Sequence, residues 1–281
     1  MPPKQLIPGE STEPDNAENS VVTRDLTRRF GALCAVDALC LEVPAGAIFG
    51  LLGPNGAGKS TTIKMLTTLL PPSSGTATVS GFDIERNPRA VRRCIGYVPQ
   101  VVSADGSLSG FENLLLFAKL YGLPKDVRQE RIETALGFVG LLEARNTLVQ
   151  KYSGGMVRRL EIALAIMHQP PVLVLDEPTV GLDPIARHAV WDHLQAFRDQ
   201  AGTTILITTH HMNEAEALCD QIAIMDEGTV RAVGSPGELK MRVGDGSSLN
   251  DVFVHFTGEG ARTRGGYQEA VRVRHNARRL N

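Results

Sequence analysis

The stretch Gly53-Pro54-Asn55-Gly56-Ala57-Gly58-Lys59-Ser60-Thr61 satisfies the pattern G-x-x-x-x-G-K-[ST] without a substitution, and it limits what the rest of the chain can be. Ala47 to Leu52 before it reads as a short buried strand, and Thr62 to Leu66 after it starts a helix. Glycines let such a loop turn sharply, so that several backbone N–H groups converge on phosphate oxygens, and the helix N-terminus adds partial positive charge. Lys59 is expected to reach the phosphates and the Ser60 hydroxyl to ligate Mg²⁺. A glycine-rich turn with an ordinary surface lysine is the competing reading, and the flanking strand and helix weigh against it. By itself the loop says nucleotide and does not say for what.

A second stretch carries the chemistry. Val172-Leu173-Val174-Leu175-Asp176-Glu177 is a continuous apolar run ending in two carboxylates, as expected of a strand buried on both faces. Its C-terminal end lies where ligands bind in open α/β sheets. Behind a phosphate loop, Asp176 is expected to hold Mg²⁺ directly or through water, and Glu177 to orient and deprotonate an attacking water. Ile205 to His210 is another buried strand with a polar end, where a histidine can donate to a γ-phosphate oxygen or can be merely structural. The strand Ile95 to Val98 ends at Pro99-Gln100, whose amide can serve a metal or water, or stand as an exposed loop amide.

Tyr152-Ser153-Gly154-Gly155-Met156 opens a helix that continues through Leu160, Ala163, Leu164 and Met167. Serine is a natural N-cap, but two glycines in a first turn cost roughly 1 kcal/mol each relative to alanine. Amides and a hydroxyl at a helix start form an anion site, and with the chain's own loop taken, a second molecule's nucleotide is the natural occupant. Further on, Gly181-Leu182 makes a tight loop and Asp183-Pro184 caps the next helix.

The remaining segments organise around these. Residues 1–19 are polar and expected to be a disordered leader. Val21 to Leu26 and Ala35 to Val43 read as strands, with Phe30 between them in a turn-like stretch, free either to stack on a base or to tuck against a strand. From about 109 to 168 the pattern is helical, with a capping box at Ser109 and Glu112, which sets a helical subdomain inside an α/β core. Glu227-Gly228 signals a hairpin, Ser235 to Glu238 repeats the capping box, and Leu249, Val252, Phe253 and Phe256 line one face of a short helix. Arginines beyond Gly260 read as a basic tail.

Composition excludes several function classes. A net charge of -2 and a pI near 6.4 supply no global basic field for nucleic acid. No stretch approaches the roughly 18 apolar residues that span a bilayer, and Met1-Pro2-Pro3-Lys4 lacks a signal-peptide core, so a cytoplasmic protein is expected, with any membrane role met through a partner. Cys34, Cys40, Cys94 and Cys219 form no C-x-x-C pair and are read as small buried hydrophobes.

The order and spacing of these motifs over about residues 20–240 resemble an ATP-binding-cassette ATPase subunit of a transporter. The resemblance places Gln100 in the Q-loop, Ser153-Gly154-Gly155 in the signature, Val172 to Glu177 in Walker B, Gly181-Leu182-Asp183 in the D-loop, His210 as the switch histidine and Phe30 as the base-stacking aromatic. It implies an α/β P-loop NTPase (RecA-like) core with an N-terminal antiparallel β subdomain and an inserted α-helical subdomain at about 101–168, followed by a C-terminal appendage over 241–281. It further implies ATP and Mg²⁺, with Glu177, His210 and Gln100 catalytic, and Ser60, Gln100 and Asp176 at the metal. Gly53 to Thr61, Phe30, Ser153, Gly154, Gly155 and Asp183 would hold nucleotide. Each ATP would lie between one phosphate loop and the signature of a second cassette, in a homodimer or a dimer with another such ATPase chain. The helical block would dock a separate membrane-spanning permease subunit, leaving this chain peripheral on the cytoplasmic face of the membrane. Tyr152 and Met156 depart from the usual L-S-G-G-Q signature, and the Tyr-Ser-Gly-Gly-Met form followed by Arg158-Arg159-Leu160, together with Leu249 to Gly258, is similar to the bacterial daunorubicin-resistance and multidrug-export branch. The rival within the superfamily, a soluble ATPase acting on DNA or the ribosome, usually carries two cassettes or a coiled-coil insertion. A metabolic kinase leaves Ser153-Gly154-Gly155 without a role.

Overall fold

The computed structural model describes residues 18–258. The basic tail lies outside the described residues, as does all but the last two positions of the expected leader. The described residues begin with two long strands, β1 (Asn19–Phe30) and β2 (Leu33–Pro44), then β3 (Ile48–Leu52), the phosphate loop and α1 (Lys59–Leu66). Strands β4 (Ser74–Val79) and β5 (Phe82–Asp83), helix α2 (Pro88–Cys94) and β6 (Ile95–Val98) follow. The helical block holds α3 (Gly110–Leu120), α4 (Lys125–Phe138) and α5 (Gly154–Ile166). Then β7 (Val172–Asp176), α6 (Pro184–Ala201), β8 (Thr204–Thr209), α7 (Met212–Leu218), β9 (Gln221–Asp226), β10 (Thr229–Gly234), α8 (Pro236–Val243) and α9 (Leu249–Thr257) complete it.

These strands form two sheets. An antiparallel sheet runs β2-β1-β4-β5, and a six-stranded sheet runs β10-β9-β3-β8-β7-β6, parallel except where β10 meets β9. The larger sheet is apolar on both faces, and alternation along each strand decides which core a residue joins. Leu173, Leu175, Ile205 and Ile207 face the helices, whereas Val172, Val174 and Leu206 face the antiparallel sheet and α1. Gly50 in β3 leaves room for Cys219, whose sulfur would stand 2.7 Å from any added Cβ.

Several expectations shift in detail. Phe30 is not in a turn: Arg28 to Phe30 extend β1, and Phe30 pairs with Leu33. Only Cys219 is buried; Cys34 and Cys94 are half-buried, and Cys40 is exposed because it alternates with buried Leu39 and Leu41 in an edge strand. The expected boundary near residue 240 falls inside α8, and Leu249, Val252 and Phe253 of α9 join the same core as the helix-facing side of the large sheet. The Glu227-Gly228 hairpin forms with both residues at positive φ, as a tight two-residue turn requires. Both expected capping boxes form, and Ser248 with Asp251 makes a third of the same kind. Among the described residues no helix is long and apolar enough to cross a membrane.

Candidate functional site

The parallel order β3-β8-β7-β6 brings four strand ends to one edge, where the phosphate loop, Asp176-Glu177, His210 and Gln100 emerge. The loop is fixed by close approach and by backbone conformation. A Cβ on Gly53 would lie 2.2 Å from the Met225 carbonyl oxygen, and one on Gly58 (φ 103°) 2.5 Å from that of Ala35. Lys59 is 4% exposed; its Nζ donates to the carbonyls of Gly53 (2.7 Å) and Pro54 (3.0 Å) and lies 3.9 Å from the Glu177 carboxylate. Burial lowers its pKa, against the raising influence of Glu177 and Asp176.

Asp176 is gripped from the first turn of α1 and from β8. Ser60 Oγ donates to its Oδ1 at 3.0 Å and Thr208 Oγ1 donates to the same oxygen at 2.5 Å. Hydroxyl and carboxylate oxygens at the end of the phosphate loop form a hard, all-oxygen donor set, which suits Mg²⁺. Nearby on β6, burial and the charge of Asp176 push the Tyr97 phenol up to about 12.

Glu177 gathers the other polar groups. Its Oε2 accepts from Gln100 Nε2 at 2.8 Å and its Oε1 from His210 Nδ1 at 3.1 Å, so the histidine carries a proton on Nδ1. Burial pushes the carboxyl pKa up, but the hydrogen bond and charge of His210, with the charges of Lys59 and His211, outweigh it and hold the group below its ordinary value. Glu177 also has φ 50°, a left-handed conformation that costs a non-glycine residue roughly 1–2 kcal/mol. Its N–H donates to Thr208 Oγ1 (3.0 Å) and to the Thr208 carbonyl (3.2 Å), which helps hold that geometry. An ionised carboxylate, held beside a lysine and a hydroxyl–carboxylate pair, can take a proton from a water placed among them.

The structure therefore joins Lys59, Ser60, Gln100, Asp176, Glu177 and His210 in one cluster. Gln100 sits on the Glu177 side of it, with its amide nitrogen committed to that carboxylate. Thr208 belongs to the cluster although nothing in the sequence sets it apart from the other β-branched residues of β8. The remaining candidates stand elsewhere. Phe30 is 45% exposed, with the Arg28 guanidinium 4.7 Å from its ring centroid. Ser153 caps α5 by accepting from Met156 N–H, and Asp183 caps α6 by accepting from Ala186 N–H. The two glycines of α5 differ: a Cβ on Gly155 would meet Ala186 Cβ at 2.9 Å, whereas one on Gly154 would meet nothing within 4 Å. Packing within the chain thus accounts for Gly155 and leaves Gly154 facing open space.

A family model described as ABC transporter matches residues 36–180. The daunorubicin/doxorubicin resistance ATP-binding protein of Streptomyces peucetius is 48% identical over 234 residues, which span 83% of this chain and 70% of that protein. The linearmycin resistance ATP-binding protein of Bacillus subtilis is 38% identical over 237 residues, 82% of this chain and 76% of that one. A solved ATP-binding subunit of an ABC transporter superposes with a TM-score of 0.75 at 30% identity, covering 84% of this chain and 98% of its own.

Proposed function

The chain belongs to the ABC transporter family as an ATP-binding and ATP-hydrolysing subunit, and on that premise we propose that it powers a bacterial exporter of drugs or other amphipathic compounds. The observation that carries the chemistry is the Glu177 carboxylate, held by Gln100 and His210 next to Lys59 and the Asp176–Ser60 pair. Export rather than another task is supported by similarity to relatives named for resistance to daunorubicin, doxorubicin and linearmycin.

In this reading Gly53 to Thr61 cradle the triphosphate, Lys59 turns from its loop carbonyls to the phosphates, and Phe30 stacks on the base. Ser60 and Asp176 would hold Mg²⁺, which when bound neutralises phosphate charge. Glu177 orients and deprotonates the attacking water, while Gln100 and His210 fix the carboxylate and His210 reaches the γ-phosphate. Ser153, Gly154 and Gly155 receive the triphosphate of a second cassette, and Asp183 lies at that junction. ATP closes the pair head to tail and hydrolysis reopens it. The helical block passes the movement to a separate membrane-spanning permease, with this chain peripheral on the cytoplasmic face.

Glu177→Gln tests the proposal, because it keeps the shape of the side chain and removes its basicity. With MgATP the variant is expected to hold nucleotide, to lose turnover and to run as a stable dimer by light scattering. Unimpaired turnover, or only monomers with no other cassette chain able to restore pairing, would refute it.

A further inference from the structure

Arg158 lies in α5 little more than one turn after Gly154-Gly155, and it is 7% exposed. Its guanidinium bonds none of the side chains of the phosphate-loop cluster. Instead Nε donates to the Pro178 carbonyl at 2.7 Å, one terminal nitrogen donates to the Pro99 carbonyl at 2.7 Å and to Glu161 Oε2 at 2.9 Å, and the other donates to the Asp176 carbonyl at 3.2 Å. The carbonyls of Asp176 and Pro178 bracket Glu177, and Pro99 immediately precedes Gln100. Glu161, 2% exposed, uses its second oxygen to accept from the Ser103 N–H (2.7 Å) and hydroxyl (3.2 Å), just beyond Gln100. One buried cation thus ties together the helix that starts at the signature glycines, the segment carrying Glu177 and the segment carrying Gln100.

Burying an arginine and a glutamate is a poor way to gain stability, since a packed apolar pair of similar volume often serves as well. What such a pair lacks is a planar fork that addresses several acceptors at fixed angles. Glu177 needs that fixing: its left-handed backbone is held at the N–H by Thr208 and on both flanking carbonyls by Arg158. We propose that Arg158 is a positioning residue for ATP hydrolysis, which makes the placement of Glu177 and Gln100 depend on the placement of α5. A phosphate received at Ser153–Gly155 then sets the catalytic carboxylate through one side chain. The inference rests on the assignment of Glu177 as base.

The test uses the full-length chain, with steady-state ATP hydrolysis, binding of a fluorescent ATP analogue and thermal melting as readouts. Arg158→Met/Glu161→Met removes both charges while keeping volume, and Arg158→Lys keeps the charge beside Glu161 but loses the fork. The double variant is expected to melt below the parent, because the Pro99, Asp176 and Pro178 carbonyls and the Ser103 N–H lose a partner, and to bind nucleotide as tightly where it is folded. Its kcat should fall on the order of 100-fold with KM little changed, the cost of misplacing a catalytic group by about 1 Å. Arg158→Lys should lie between. A folded double variant whose kcat stays within about threefold of the parent overturns the proposal, because a purely structural role moves stability and not turnover per folded molecule. Should the double variant fail to fold, Arg158→Lys decides: undiminished kcat overturns the proposal, and a kcat lowered about tenfold with unchanged nucleotide binding supports it. Glu177→Gln serves as the control, since turnover surviving there would sink the base assignment instead.

Discussion

Thr208→Val isolates a group that the sequence does not advertise. The substitution keeps shape at a fully buried position and deletes one hydroxyl, which donates to Asp176 Oδ1 at 2.5 Å and accepts from Glu177 N–H at 3.0 Å. Neither partner is orphaned. Asp176 keeps the Ser60 hydroxyl at 3.0 Å, and the Glu177 N–H keeps the Thr208 carbonyl at 3.2 Å. The loss is therefore that of the hydrogen bond to the charged Asp176, about 1.5–3 kcal/mol, with the Glu177 N–H falling back on the carbonyl it already shares, rather than the larger penalty of a buried unpaired charge. For a domain of this size that corresponds to a fall in Tm of about 3–12 °C. Asp176 is also left on one tether, so the Mg²⁺ concentration that half-saturates nucleotide binding should rise, and Thr208→Ser, which keeps the hydroxyl, should not raise it. Differential scanning calorimetry and a Mg²⁺ titration of nucleotide binding read the two effects separately. Unchanged Tm together with unchanged Mg²⁺ dependence would show that the Thr208 hydroxyl grips neither residue.

Two further outcomes can be measured. Lys59→Ala removes the ammonium that bonds the phosphate-loop carbonyls and lies 3.9 Å from the Glu177 carboxylate, and equilibrium binding of ATP should fall below detection at concentrations that saturate the parent. His168, stacked on Tyr121 with ring centroids 3.9 Å apart, has its pKa lowered to about 4, chiefly by burial and against a raising hydrogen bond to the Ile95 carbonyl. Between about pH 6.5 and that value the unfolded chain binds a proton that the folded chain refuses, so stability should fall as pH drops through this window, by at most about 3 kcal/mol before its partial exposure is discounted. Urea unfolding at a series of pH values should show that slope in the parent and lose it in His168→Phe; an unchanged slope in the variant would clear His168.

The parts of the site that the sequence makes legible are those whose chemistry is written in consecutive letters. Gly53 to Thr61 and Val172 to Glu177 each announce strand, loop and ligand in one short run, and both take the predicted conformation at the same sheet edge. Gln100 and His210 are legible only as candidates, because what brings them to Glu177 is the order β3-β8-β7-β6, a pairing that no local pattern encodes. Phe30 stands in a strand rather than a turn for a similar reason: turn-like letters around it are overridden by antiparallel pairing that carries β1 to Phe30, opposite Leu33 of β2. Glu177 adds another kind of silence, since a positive φ at a non-glycine residue leaves no mark in the sequence. Arg158 is quieter still. Three of its four acceptors are peptide carbonyls, which every residue possesses, so there is no complementary side chain at Pro99, Asp176 or Pro178 for a reader to match with it. In the sequence Arg158-Arg159-Leu160 serves only as a mark of the export branch and says nothing of what Arg158 touches; only the fold, by placing the segments that carry Glu177 and Gln100 against one face of α5, turns it into a shared anchor. Positions that act through backbone acceptors are for that reason the ones a motif search passes over, and the ones at which a conservative-looking Arg→Lys exchange should reveal most about how the site is held.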